Sequence, residues 1–170
     1  MKKFYLLTLA LAFSLDPAQV AIGKTTLEST SSSIEFGSDN RGFVLPWTTS
    51  AASVSNAVNG TMIFDLNDKK TKIYADNVWK DLTVDVNGSV DTSLQDGLTE
   101  QAGAKVSVGA VSSTPGILVL EDTNRAMILP KVANAHLNII APTPGMVVYD
   151  TVKKMLLVFN GTVWTFWKAS

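Results

Sequence analysis

Toward the C-terminal end of the chain, apolar and aromatic residues gather into three short runs at 146–150, 154–159 and 163–167, separated by Thr151-Val152-Lys153 and Asn160-Gly161. Runs of this length, rich in β-branched and aromatic residues and bounded by turn formers, predict strands. Asn-Gly suits the two positive-φ centres of a type I′ turn, so the expectation is a three-stranded meander. The same pattern occurs earlier in the chain, with Asn67-Asp68-Lys69 and Asp76-Asn77 at the turns. Upstream of each meander, 34–36 with 43–45 and 117–120 with 127–129 predict two further short strands around an Asp-Asn or Asp-Thr-Asn turn. Residues 50–58 have apolar positions near helical spacing and suit a short helix. Residues 133–140 fit either periodicity and end at Pro142 and Pro144. The fold class is therefore mostly β, with room for one short helix in each half.

The two halves are copies of one module. Asn40-Arg41-Gly42-Phe43-Val44-Leu45-Pro46 is matched by Asn124-Arg125-Ala126-Met127-Ile128-Leu129-Pro130, and Gly60-Thr61-Met62-Ile63-Phe64-Asp65 by Gly145-Met146-Val147-Val148-Tyr149-Asp150. Lys69-Lys70 is answered by Lys153-Lys154, and 72–79 by 157–164, so that Asp65 to Trp79 and Asp150 to Trp164 are both 14 apart. The openings echo as well, Val20-Ala21-Ile22-Gly23 against Val106-Ser107-Val108-Gly109. The offset is 84 at the first motif and 85 later, which implies one single-residue indel. The expected organisation is a module at 19–82, a linker at 83–105 whose Asn87-Gly88 allows a hairpin, and a second module at 106–170. A module of about 60 residues buries only about 60% of its unfolded surface, so the copies, or several chains, are expected to share a core.

At these residues the chain resembles exported repeat proteins of Bacteroidetes-type bacteria. Those open with a pattern like Gln-Val-Gly-Ile-Gly-Thr-Thr-Thr-Pro, continue through Gly-Phe-Leu-Pro-Pro-Arg, and reach Gly-Leu-Leu-Val-Tyr-Asn-Thr before a Tyr-Asn-Gly-Thr-Trp turn. The matching residues are Gln19-Val20-Ala21-Ile22-Gly23-Lys24-Thr25-Thr26, Gly42-Phe43-Val44-Leu45-Pro46, Gly145 to Thr151, and Val158-Phe159-Asn160-Gly161-Thr162-Val163-Trp164. Trp47 and Lys131 stand where the pattern has Pro-Arg, and Leu27 replaces its proline. The resemblance covers most of the chain after residue 18. It implies a structural or attachment role like that of surface adhesins and phage tail-fibre-like proteins, as β-rich oligomers.

The remaining features narrow the function class. Lys2-Lys3, an apolar run at 4–15 and Asp16-Pro17-Ala18 read as a secretory signal peptide at 1–18, because about twelve apolar residues are too few to span a bilayer. The expected location is the cell surface or the extracellular space, with the periplasm as an alternative, and no transmembrane segment is expected after the leader. A net charge of −1 with dispersed Lys and Arg gives no footprint for nucleic acid. With no cysteine there is neither a disulfide framework nor a thiol for acylation.

Catalytic chemistry has little to rest on. His136 is the only histidine and has no partners at the spacing of a triad or a zinc site. Asp39, Asp65, Asp122 and Asp150 recur at strand ends, where carboxylates usually accept turn N–H groups, and the calcium-loop spacings are absent. No enzyme activity, cofactor or metal is expected. Asp65, Trp79, Asp150 and Trp164 are shared by the copies and are expected to define the fold. Trp47 and Trp167 have no aromatic counterpart, so they are the candidates for contact with a partner or a glycan. Asn59, Asn87 and Asn160 match glycosylation sequons but read more simply as turns. The expected function is a structural or attachment subunit that meets copies of itself or a larger surface protein, with a secreted carbohydrate-binding module as the alternative.

Overall fold

A computed structural model describes residues 19–93, 95–99, 101, 103–110 and 112–168; the leader expected at 1–18 lies outside the described residues. The first copy runs β1 (Val20–Ile22), β2 (Ser32–Phe36), β3 (Phe43–Val44), β4 (Trp47–Thr48), β5 (Met62–Asp65), β6 (Lys70–Ala75) and β7 (Val78–Asp81). The second repeats that order as β8 (Val106–Gly109), β9 (Leu118–Glu121), β10 (Ala126–Met127), β11 (Lys131–Val132), β12 (Met146–Asp150), β13 (Met155–Phe159) and β14 (Trp164–Trp167). Between β11 and β12 lies a one-turn helix, α1 (Ala135–Asn138), and at the same place in the first copy a 3₁₀ turn spans Ala51–Ser53. The fold is mostly β, as expected. Among the described residues no helix is long and apolar enough to cross a membrane.

The meanders form as the patterns predict, β5-β6-β7 and β12-β13-β14, with Tyr74 opposite Trp79 and Phe159 opposite Trp164. The upstream strands do not pair as local hairpins. β1 runs parallel to β2, β8 to β9, β4 to β5 and β11 to β12; the first two pairs are joined by irregular coil and the last two by a connection holding no more than one helical turn. This frees the Asn-Arg-x-x-x-Leu-Pro strand of each copy to pair with the other copy. β3 adds antiparallel to β12, with Phe43 opposite Val147, and β10 adds parallel to β2, with Ala126 opposite Ser32. The reason is local. β2 already has β1 on one edge, and the six residues between β2 and β3 carry the chain away from β2 to the edge of β12.

Three further details of the expected register change. Ile22 lies opposite Phe36 but Val108 opposite Leu120, so the coil in the second copy is two residues shorter and a second indel separates the copies. Lys69 and Lys154 share the positive-φ turn position, φ 55 in both, so Lys70 corresponds to Met155 and the two Lys-Lys pairs are one residue out of register. The type I′ geometry is found at Asp76-Asn77 (φ 56 and 61) and not at Asn160-Gly161, where only Gly161 has positive φ. There the buried Asn160 side chain turns inward, and its Oδ1 accepts the N–H groups of Thr162 (2.9 Å) and Val163 (2.8 Å).

Residues 83–93 contain no strand, so the hairpin that Asn87-Gly88 allows is absent. The stretch is tied down instead. Thr83 is buried and its Oγ1 accepts the Thr71 N–H at 3.0 Å, Asp85 accepts from Asn160 Nδ2 at 3.2 Å, and the Asn87 carbonyl accepts from Thr162 Oγ1 at 2.9 Å. A Cβ on Gly161 would collide with the Ser89 carbonyl, so only glycine fits where this stretch crosses the last turn.

Alternation along β12 and β13 divides the core in two. Val148 and Leu157 face α1, with Val132, Ala135, Ile139, Met146 and Phe159, an assembly confined to the second copy. Val147 and Val158 face the other way and meet Leu45, with Phe43, Met62 and Leu82 from the first copy and Leu129 and Leu156 from the second. The copies thus share one apolar layer.

Candidate assembly interface

The residues that repeat in both copies build identical cages. Asp65 Oδ2 accepts the Ala51 N–H at 2.7 Å and its Oδ1 accepts those of Asn67 (3.0 Å) and Asp68 (3.1 Å). Asp150 Oδ2 accepts the Ala135 N–H at 2.9 Å and its Oδ1 accepts those of Val152 and Lys153, both at 2.9 Å. Each carboxylate is buried and ties a one-turn helical segment to the turn leaving its strand. Burial pushes the Asp150 carboxyl up, but the surrounding backbone N–H groups outweigh it and hold it below the ordinary aspartate value. Trp79 lies edge-on to Tyr74 at 5.2 Å and Trp164 against Phe159 at 5.0 Å, both half-buried.

The residues that differ between copies point across the boundary. Trp47 packs at a tilt against Phe64, ring centres 6.1 Å apart, and its Nε1 donates to the Pro144 carbonyl at 2.8 Å. Trp167 donates to the Leu82 carbonyl at 2.5 Å, and Leu82 is its own counterpart in the first copy. Lys131, the counterpart of Trp47, reaches Glu28 at 3.6 Å. Main-chain bonds reinforce the seam, from Leu45 to Gly145 (3.1 Å), Ala126 to Ser31 (2.9 Å) and Ile128 to Ile34 (2.9 Å). Ser33 Oγ adds a bond to Asp122 at 2.5 Å. Gly145 lies so close to Phe64 that a Cβ there would sit 2.8 Å from the Phe64 Cβ.

Both copy-specific tryptophans therefore use their only polar atom inside the chain. Part of each indole face remains accessible, and Trp167 and Phe166 are each 40% exposed on the edge strand β14. His136 sits edge-on to Phe166 at 5.5 Å, and its Nδ1 lies 3.9 Å from Asp150 Oδ2 without a hydrogen bond. Asp39 makes only an exposed pair with Arg41, while Asp122 holds Ser33 and Arg125. Among the described residues no three His, Asp or Glu side chains converge on a point where a metal ion fits.

One buried charge was not singled out by the sequence patterns. Glu35, on β2, is 1% exposed and accepts from the N–H groups of Glu28 and Ser29 (both 2.8 Å), Ser32 Oγ (2.6 Å) and Lys24 (2.9 Å). The Glu28 N–H, then the Ser32 hydroxyl and Lys24, bring its pKa down to about 2. The signal available in the sequence was a carboxylate between Ile34 and Phe36, preceded by a serine run that supplies donors. Like the aspartates, Glu35 organises a coil.

The family model described as phage tail like trimerisation region matches residues 108–169, the second copy from β8 onward. No curated protein and no solved structure matches the chain. The matched segment includes β12, the strand that receives β3, and β9, whose outer edge has no strand partner among the described residues.

Proposed function

We propose that this protein is a structural subunit of an exported fibre or attachment assembly, working as a homotrimer through protein–protein contacts and without catalysis. The observation that carries the reading is the coincidence of the trimerisation match at 108–169 with a module whose strands already exchange with a sister copy. Short strands that borrow partners, a shared apolar layer and carboxylates used to fix coils are the properties of a stacking unit. The leader-like segment and the resemblance to surface repeat proteins support placement at the cell surface, with a larger surface or tail-like structure as the partner. Glycan binding is the weaker reading, since the Trp47 and Trp167 N–H groups are already bonded within the chain. The test is purification from the native host under mild conditions. A trimer that travels with a larger surface or tail-like particle supports the proposal, whereas a free monomer in the soluble fraction overturns it.

A further inference from the structure

β3 and β10 each have two edges, and among the described residues each pairs with a strand along only one of them; in the first copy the opposite edge is taken up further on, where the Pro46 carbonyl accepts from Phe64. On β3, Phe43 and Leu45 face β12: Leu45 donates to Gly145, and Phe43 lies opposite Val147 two positions along the same antiparallel ladder. In such a ladder the intervening residue turns its N–H and C=O to the other side, so Val44 presents them outward. Val44 is 38% exposed and borders a groove lined by Leu45, Pro46, Trp47, Asp91, Gln95 and Thr143. On β10 the opposite edge is in use. Ala126 and Ile128, the counterparts of Gly42 and Val44, donate to Ser31, just before β2, and to Ile34 within it.

The second copy lacks the strand that β2 enjoys. β1-β2-β10 is a three-stranded sheet, but β8-β9 stops at two among the described residues. The Ile117 and Glu121 carbonyls accept from Val106 and Ala110, so these positions face β8 and the alternate ones, Leu118 and Leu120, face the open edge. An isolated two-stranded sheet is marginal, and Val106 and Ile117 are 58% and 59% exposed.

We infer that β9 of one protomer receives β3 of a second copy of this chain, in the parallel register that β10 takes on β2. Copying that register puts Gly42 opposite Gly116 and Phe43 opposite Leu118, with the Val44 N–H donating to the Leu118 carbonyl. The donor edge and the acceptor edge are different surfaces, so the contact runs head to tail and closes as a ring, which suits three chains. The inference rests on the trimer reading above and specifies its contact.

Val44→Pro removes the outward N–H and leaves the β3–β12 bonds intact. Sedimentation equilibrium on the wild type and the variant, with far-UV circular dichroism, separates the outcomes. A trimeric wild type and a folded V44P whose association is weaker by about ten-fold or more support the inference. A V44P trimer as tight as the wild type overturns this pairing and leaves self-association standing. A monomeric wild type overturns both. If V44P does not fold, amide exchange in the wild type decides: a protected Val44 N–H supports the contact, and one that exchanges at the free rate overturns it.

Discussion

The two copies share a chain path but stabilise the same face in opposite ways. In the second copy Leu157, fully buried, lies under α1 among Val132, Val148 and Phe159. Its counterpart in the first copy is Lys72, which is 8% exposed and sits 2.5 Å from Asp68, 3.0 Å from Asp81 and 4.0 Å from Asp65. Burial works against the Lys72 charge, yet Asp68 and Asp81 more than restore it, and its pKa lies above the ordinary lysine value. Around it, Thr48, Lys70 and Tyr74 stand where the second copy has Val132, Met155 and Phe159. On this face one module is held by apolar packing and the other by an ion network, so a shared backbone does not require a shared interior. What they keep in common is the aspartate cage, because the main-chain N–H groups of the coil need an acceptor whatever the face is made of.

Exchanging the two solutions breaks the comparison most sharply. Leu157→Lys places a charge among apolar residues, where Lys153 and Phe166 replace Asp68 and Asp81, and the one carboxylate kept, Asp150, is already engaged by three N–H groups. A loss of about 4 kcal/mol or more is expected in urea unfolding, enough to unfold the chain. The reverse, Lys72→Leu, is expected to change stability by about 1 kcal/mol or less. Of its carboxylate partners, Asp68 and Asp81 are solvent-accessible and stay hydrated, and the buried Asp65 keeps its three N–H donors. Removing either cage tests the common part: Asp150→Ala and Asp65→Ala each orphan three N–H groups and should cost about 3 kcal/mol, equal within error.

How far the sequence reveals this depends on the range of the interaction. The meanders were legible because period-two patterning and turn residues act within a few positions, and the repeat exposed Asp65 and Asp150 before any contact was known. The exchange of β3 and β10 was not legible. Two-residue strands carry no periodicity, and their partners lie far along the chain, chosen by which edges remain open. Trp47 and Trp167 were singled out because the copies differ there, and the structure places both at the seam between copies. Glu35 escaped notice because its donors are backbone groups of a coil with no pattern of its own.

Two smaller effects refine the contrast. Glu35 and Asp150 both have folded-state pKa values below their unfolded ones, so each contributes stability that is complete above the unfolded value. That contribution is lost as pH falls through the folded value. For Glu35 the window runs from 4.5 down to about 2. Acid unfolding should therefore steepen below pH 4.5, and Glu35→Gln should flatten that part of the curve. At the seam, Trp47→Phe keeps an aromatic ring against Phe64 but leaves the Pro144 carbonyl without its donor, for a loss of about 1 kcal/mol. Lys131→Ala removes a pair whose members are both half or more exposed and should cost less than about 0.5 kcal/mol.

The most direct test of the account is the mass of the protein in solution by sedimentation equilibrium, after any leader has been removed. Interlocked modules, of which the second is similar to a phage tail like trimerisation region, predict a single species of three chains that persists on dilution into the low micromolar range. A monomer that unfolds with the same midpoint at every concentration would contradict it.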